Sequence, residues 1–254
     1  MCVAVIAFHA VPGHPLVIVS NRDEFHGRES ARAHVWDDDP TVIAGRDLEK
    51  GGTWLGTTVT GRVALITNYR ELDDTEYRKS RGHLVSDFLM SSHSASDYAE
   101  KSFDHGSDYA GYNLLLFDGE SLAYVSNRST KIEYPDQGVY GLSNHLLETP
   151  WPKVLRSKTA VSKYLEDNQA LPVEDLIGTM RDTTIAPDEK LPSTGVPIEL
   201  ERALSSVFIS GDRYGTRCTT VVSIGNEGQI SLTEQTYRPN GVLDGRNTII
   251  HQVS

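Results

Sequence analysis

Apolar positions in the first part of the chain fall in short runs rather than at helical spacing. Residues 3–8 form one run and residues 15–20 a second, with Pro12-Gly13 between them marking a turn. This predicts a β-hairpin at the N-terminus. Further strands are predicted at 41–44, 53–58, 62–67, 112–117, 121–126 and 138–142, and late ones at 207–210, 218–224 and 229–234. Asp118-Gly119 and Gly225-Asn226-Glu227-Gly228 supply turn chemistry between them. Helical spacing is rarer and clustered. Leu84, Val85, Phe88 and Leu89 share a face after Gly82. Ala95, Tyr98, Ala99 and Phe103 follow Ser94 as N-cap. Val154 to Leu165 is the longest amphipathic stretch, with Pro152 near its start, and 173–180 is another. Residues 185–200, rich in Pro, Ser, Thr and Gly, read as a loop. Strands in runs and helices in runs make an α+β layered sandwich, not βαβ units. Nothing separates two domains, so one domain over 1–254 is expected.

Composition narrows the function classes. The chain has 254 residues and a formal charge of −11. Such acidity opposes nucleic-acid binding, which relies on neutralising phosphates, and docking on anionic lipid. No apolar stretch is long enough to span a membrane, and the N-terminus lacks a basic region before its apolar run. A cytoplasmic location is the default expectation. The nine histidines show no metal-ligand spacing, and neither a metal nor a cofactor is expected. Asp37-Asp38-Asp39 reads as a solvated loop.

Two cysteines exclude a disulfide scaffold. One of them, Cys2, directly follows Met1. Removal of Met1 would leave a thiol and a free α-amine on the same residue, a self-contained nucleophile and base. The alternative is a small core residue opening a strand. Asn21-Arg22-Asp23-Glu24 follows the second strand, whose end returns close to Cys2 in a hairpin. Arg22 and Asp23 can there orient the amine and thiol, or form an ordinary surface pair. Gly51-Gly52-Thr53-Trp54-Leu55-Gly56 lacks the lysine of a phosphate loop and reads as a hairpin or a cleft wall carrying Trp54. Thr67-Asn68-Tyr69-Arg70 and Gly141-Leu142-Ser143-Asn144 each place an amide at a strand end, suited to an oxyanion or to a turn. Asn113 beside Tyr112, and His145 beside Asn144, are further polar candidates. Arg217, flanked by small hydroxylated residues, suits an anion or carboxylate contact. Cys218 reads as a packed small residue.

Taken in this order, the motifs resemble the NRDE-motif family, also called the transport and Golgi organisation family, from residue 2 to about 224. That family resembles cysteine-type N-terminal-nucleophile hydrolases. The resemblance implies a four-layer αββα sandwich. It implies Cys2 as nucleophile, Arg22 and Asp23 orienting it, Asn68 and Asn144 at the oxyanion, and Arg217 beneath the nucleophile. Asn21, Trp54, Tyr69, Asn113 and His145 are then the expected substrate-binding residues. The expected function is cleavage of a non-peptide C–N amide bond of a small molecule through a thioester. The alternative is a non-catalytic binder or carrier of an apolar ligand, such as haem, acyl-CoA or a lipid, or a trafficking-related protein on the same fold.

Overall fold

The structure, a computed structural model, describes residues 2–167 and 171–253. Strands β1 (Cys2–Val11) and β2 (His14–Phe25) form the expected hairpin, which turns at Gly13 with φ of 80°. Such a positive φ favours glycine, which has no Cβ to clash. The hairpin lies inside a six-stranded antiparallel sheet completed by β9 (Gly138–Leu142), β10 (Tyr214–Ile224), β11 (Gln229–Arg238) and β12 (Val242–Gln252). Its strand order is β12-β11-β10-β2-β1-β9. The second sheet runs in chain order through β3 (Ser30–Val35), β4 (Val42–Asp47), β5 (Leu55–Thr58), β6 (Val63–Asn68), β7 (Tyr112–Phe117) and β8 (Leu122–Ser126).

Side-chain alternation builds the layers. Along β1, Ala4, Ile6 and Phe8 face the second sheet and pack with Leu55, Leu65 and Leu115. Val3, Val5 and Ala7 face the other way, onto Val161 of α3 (Pro152–Asp167) and Leu176 and Ile177 of α4 (Val173–Thr179). The outer face of the second sheet, including Ala64, Ile66 and Leu116, packs on Val85 and Phe88 of α1 (Gly82–Leu89) and Ala99 of α2 (Ala95–Asp104). The result is the four-layer αββα sandwich. β1 is buried on both faces, so its sequence shows an unbroken apolar run although its partners are antiparallel. Ser94 caps α2 by accepting from the Asp97 amide at 3.0 Å, as its position predicts.

Four segments differ from the sequence reading. β3 and β12 end their sheets, and β12 alternates exposed with half-buried positions, so neither shows an apolar signal. Residues 207–210 are not a strand. Val207 and Phe208 are buried where the chain crosses back, and the Phe208 amide bonds the Asp182 carbonyl at 2.8 Å. α5 (Ile198–Ala203) begins within the last residues of the stretch expected to be a loop, 185–200, and runs past it. Its apolar residues Ile198 and Leu200 are exposed and its buried residue is Glu201, the reverse of an amphipathic signature. No helix among the described residues is long and apolar enough to cross a membrane.

Candidate active site

Cys2 opens β1 at one end of the sandwich and stands opposite Arg22 in the ladder. Arg22 in turn stands opposite Cys218 of β10. The three residues form a row across adjacent strands, with Arg22 in the middle. Two strand spacings separate the cysteines by about 9–10 Å, beyond the ~7 Å limit for a disulfide. Both cysteines are free and buried. Burial pushes the Cys2 thiol up, and the Asp23 charge adds to that direction. The thiol is therefore not ionised by its surroundings and needs a base to become a nucleophile. Ser143 Oγ donates to the Cys2 carbonyl at 2.7 Å and fixes the strand end. Met1 lies outside the described residues.

Arg22 and Asp23 flank Cys2 as their adjacency in sequence allows, on opposite faces of the strand. The Arg22 guanidinium lies 4.1 Å over the Trp54 ring, and its Nη1 is buried without a hydrogen-bond partner. Trp54 is held in place by Gly45, where a Cβ would come within 2.5 Å of the indole. Asp23 is buried and accepts from Thr216 Oγ1 at 2.7 Å. Burial pushes its carboxyl up, and the cation on Lys153 pulls it back down.

Lys153 escaped the sequence reading. It sits in the first turn of α3 and is fully buried, and its Nζ donates to Asn144 Oδ1 at 3.2 Å. Burial lowers its pKa to about 8, against the stabilising charge of Asp23. Asn144 Nδ2 then donates to the Asn68 carbonyl at 2.9 Å, tying the end of β6 to the end of β9. Lys153 thus fixes which way the Asn144 amide points. A second buried cation, Arg70, pairs with Glu201 of α5 at 2.5 Å and stacks on Trp151 at 4.7 Å. In sequence, a lysine inside an amphipathic helix signals only an exposed face, and Glu201 followed the expected loop of residues 185–200 in no predicted element.

The other expected residues divide. Asn68 and Trp54 line the cavity at Cys2. Asn21 does not: alternation turns it to the helix layer, where Nδ2 donates to the carbonyls of Met180 and Val207, each at 2.9 Å. Asn113 belongs to a closed network, accepting from Tyr124 Oη at 2.8 Å and donating to Thr67 Oγ1 at 3.1 Å. Tyr69 and His145 bond each other at 2.7 Å away from the cavity wall, and burial lowers the His145 pKa. Arg217 is not beneath Cys2. The ladder of β10 with β2 skips from Thr216 to Cys218, and the bulged Arg217 turns to the carbonyls of Phe25 and Arg28 at 2.8 and 2.9 Å. It lines the neighbouring cavity, on the Cys218 side of Arg22.

The cavity at Cys2 shares Glu24 and Asn68 with a second one. The first, of 130 Å³, is polar and lined by Cys2, Arg22, Asp23, Trp54, Asn68 and Arg81 among others. The second, of 620 Å³, is walled mainly by apolar side chains, including Ile185, Leu204, Phe208 and Ile209. Glu24 and Asn68 line both and form the rim between them. The larger volume lies in the range of small-molecule sites. Among the described residues, no group of His, Cys, Asp and Glu could hold a metal ion.

Solved structures define the class of fold. The chain superposes on penicillin V acylase from Agrobacterium tumefaciens with a TM-score of 0.54 at 11% identity, covering 92% of this chain and 83% of that one. With the C2A mutant of the conjugated bile acid hydrolase from Clostridium perfringens the TM-score is 0.52 at 7% identity, covering 98% and 92%. The fold is that of the N-terminal-nucleophile hydrolases. The family model for Transport and Golgi organisation 2 matches residues 1–239, and the chain belongs to that family. It is 32% identical over 259 residues to the human Transport and Golgi organization protein 2 homolog, covering 92% of each chain. It is 27% identical over 262 residues to Transport and Golgi organization protein 2 of Drosophila melanogaster, covering 93% and 92%.

Proposed function

We propose that the protein, acting as one domain in the cytoplasm, hydrolyses a non-peptide amide of a small molecule with Cys2 as its N-terminal nucleophile. The observation that carries this reading is the place of Cys2. The residue opens an interior strand and lines a polar cavity with Arg22 and Asp23, and that cavity shares its Glu24 and Asn68 rim with an apolar cavity large enough for an acyl group. Solved relatives in fold are named as an acylase and a bile acid hydrolase, which agrees with this chemistry without assigning it.

Removal of Met1 exposes the Cys2 α-amine. The amine takes the thiol proton, and the sulfur attacks the substrate carbonyl, forming a C–S bond while the carbonyl π pair moves to oxygen. Asn68, at the rim, donates to that oxyanion, and the Asn144 amide braces the Asn68 backbone. The pair on oxygen returns, the C–N bond breaks, and the α-ammonium gives its proton to the leaving amine. Water, deprotonated by the α-amine, then adds to the thioester carbonyl. Collapse breaks the C–S bond and releases the acid, and the thiol regains its proton. Asp23 holds the ammonium near the sulfur throughout.

Intact mass before and after incubation with an electrophilic acyl probe tests the reading. A mass lacking Met1, a single acyl adduct, and no adduct in Cys2→Ala are expected. Retained Met1, or an adduct independent of Cys2, would overturn it. The apolar cavity favours one second reading, a carrier of an apolar ligand such as haem or an acyl-CoA. That reading expects tight ligand binding that neither Met1 retention nor Cys2→Ala alters.

A further inference from the structure

The two sheets end in four edge strands, and the chain closes three of them with its own groups. On the outer edge of β9, the Glu148 amide donates to the Gly141 carbonyl at 2.9 Å, and the Glu148 carboxylate accepts from the Gly141 amide. The outer edge of β8 is bridged at Tyr124, which exchanges two hydrogen bonds with Glu133 at 2.8 and 2.9 Å. β3 is short and bulged between Ala31 and His34. Its Ala33 amide and carbonyl are taken by the side chains of Glu234 and Asn247 at 2.8 and 2.5 Å. Capped, bulged and short edges keep foreign strands away. β12 has none of these devices over 248–252. The Val253 amide donates to the Gly228 carbonyl at 3.0 Å. By the alternation of an antiparallel ladder, the backbone groups of Thr248, Ile250 and Gln252 then point away from β11. Among the described residues, none of these outward groups has a hydrogen-bond partner. The segment holds no bulge, no proline and no Asp, Glu, Lys or Arg, and Ile250 is 64% exposed.

We propose that this edge receives a second copy of the chain, paired antiparallel about a two-fold axis at Ile250, so that one sheet runs through both copies. An antiparallel strand is its own complement, because a two-fold turn sets each donor of one copy against an acceptor of the other. With the axis at Ile250, the two Ile250 residues exchange both main-chain bonds. Thr248 of each copy meets Gln252 of the other, giving about six bonds in all. The exposed Ile250 side chains then pack on each other across the axis. Charge selects the same place. The chain carries −11, so identical copies repel over most of their surface, whereas 247–253 is free of formal charge. Asp244 and Arg246 lie outside the paired segment. The ladder also stands clear of the candidate active site. Ile250 belongs to the row of Ser231, Ser223, Val17 and Ala7, about 17 Å along β1 from the row of Cys2. No residue of 248–252 lines either cavity that borders Glu24 and Asn68. A ladder this short falls at the low end of interface sizes, below ~1,200 Å², so the pair forms reversibly.

Sedimentation of the full chain between about 1 and 500 μM tests the pairing. The mass should approach twice that of one chain at the high end and fall toward one chain on dilution. Ile250→Lys sets like charges against each other at the axis and should weaken association about tenfold or more, with the urea midpoint unchanged because the side chain is exposed. Ile250→Val should associate as the parent does. Leu243→Lys puts the same charge at an exposed position of β12 outside the ladder, and should change association by less than about threefold. Hydrogen exchange gives a reading that needs no variant. The outward amides of Thr248, Ile250 and Gln252 should exchange about tenfold or more slowly at the high concentration than at the low one. A parent that stays single at every concentration overturns the proposal and leaves the edge to a strand of a different protein. Association that survives Ile250→Lys, or is lost equally in Leu243→Lys, overturns it as well, and so do equal exchange rates at the two concentrations.

Discussion

Two buried polar regions of the sandwich behave in opposite ways. In the first, Tyr124, Asn113, Thr67 and Ser143 close a network. Tyr124 Oη donates to Asn113 Oδ1, Asn113 Nδ2 donates to Thr67 Oγ1, and Thr67 Oγ1 donates to the Ser143 carbonyl at 2.5 Å. The Leu147 amide even satisfies the Tyr124 oxygen at 3.0 Å. In the second, around Cys2, Arg22 Nη1 is buried without a partner. A fully satisfied network stabilises and specifies a packing; open donors cost free energy unless something else fills them. The difference marks the first region as architecture and the second as a place prepared for a ligand.

The sharpest way to break that contrast is to remove one residue from each region. Cys2→Ala should lower amide turnover by about a thousandfold or more, since a lost nucleophile is not replaced, while the urea midpoint stays near that of the parent. Asn113→Ala should instead move the midpoint, losing about 1–3 kcal/mol by leaving the buried Tyr124 hydroxyl proton without the Asn113 oxygen as its acceptor. If Cys2→Ala unfolds the chain and Asn113→Ala does not, the assignment of the two regions is reversed. The next effect in size concerns the base. Protein whose α-amine is acetylated should lose about a hundredfold or more in turnover, the usual contribution of a positioned proton acceptor. Equal rates for blocked and free amines would show that the Cys2 amine takes no proton.

Sequence carried the first half of this contrast better than the second. The hairpin, the clustered helices and the α+β layering followed from apolar runs and turn signals, because those positions are buried on both faces of β1 and β2, whereas the four-layer αββα order came from the family resemblance. Cys2, Arg22 and Asp23 could be brought together from strand ends alone. Alternation then separated what adjacency had grouped: Asn21, one residue before Arg22, serves the helix layer and not the cavity. Glu201 and Lys153 were invisible for a related reason. A buried ion is recognised only by its partner, and the opposite charges, Arg70 for Glu201 and Asp23 for Lys153, are far away in sequence. Arg217 was misplaced by one bulge, which no local pattern announces.

Lys153 offers a smaller, more informative test of the Cys2 region. Lys153→Met removes the cation facing Asp23 and the donor that orients Asn144, and should slow alkylation of the Cys2 thiol about tenfold. Lys153→Arg should recover part of that loss. The same residue has a signature in pH. In the unfolded chain the amine holds its proton up to about 10.5, whereas in the fold it releases it near 8. Between those values the unfolded state binds more protons, so this group makes folding stability rise with pH. Lys153→Met should remove that rise, and the gap between the two stability curves should change between pH 8 and 10. Parallel curves across that window would mean that the amine does not titrate there.

Arg217→Ala is the mildest change and sharpens the boundary of the open region. Its guanidinium serves two backbone carbonyls at the edge of the Cys218 cavity, on the far side of Arg22 from the thiol of Cys2. Losing those two bonds should cost about 1–2 kcal/mol of stability, read from the urea midpoint. Turnover and Cys2 alkylation should change by less than about threefold, because the group touches neither the thiol nor the rim. A hundredfold loss with unchanged stability would instead extend the reactive region across Arg22 to β10. The row of Cys2, Arg22 and Cys218 would then act as one unit, and the neighbouring cavity would belong to the site.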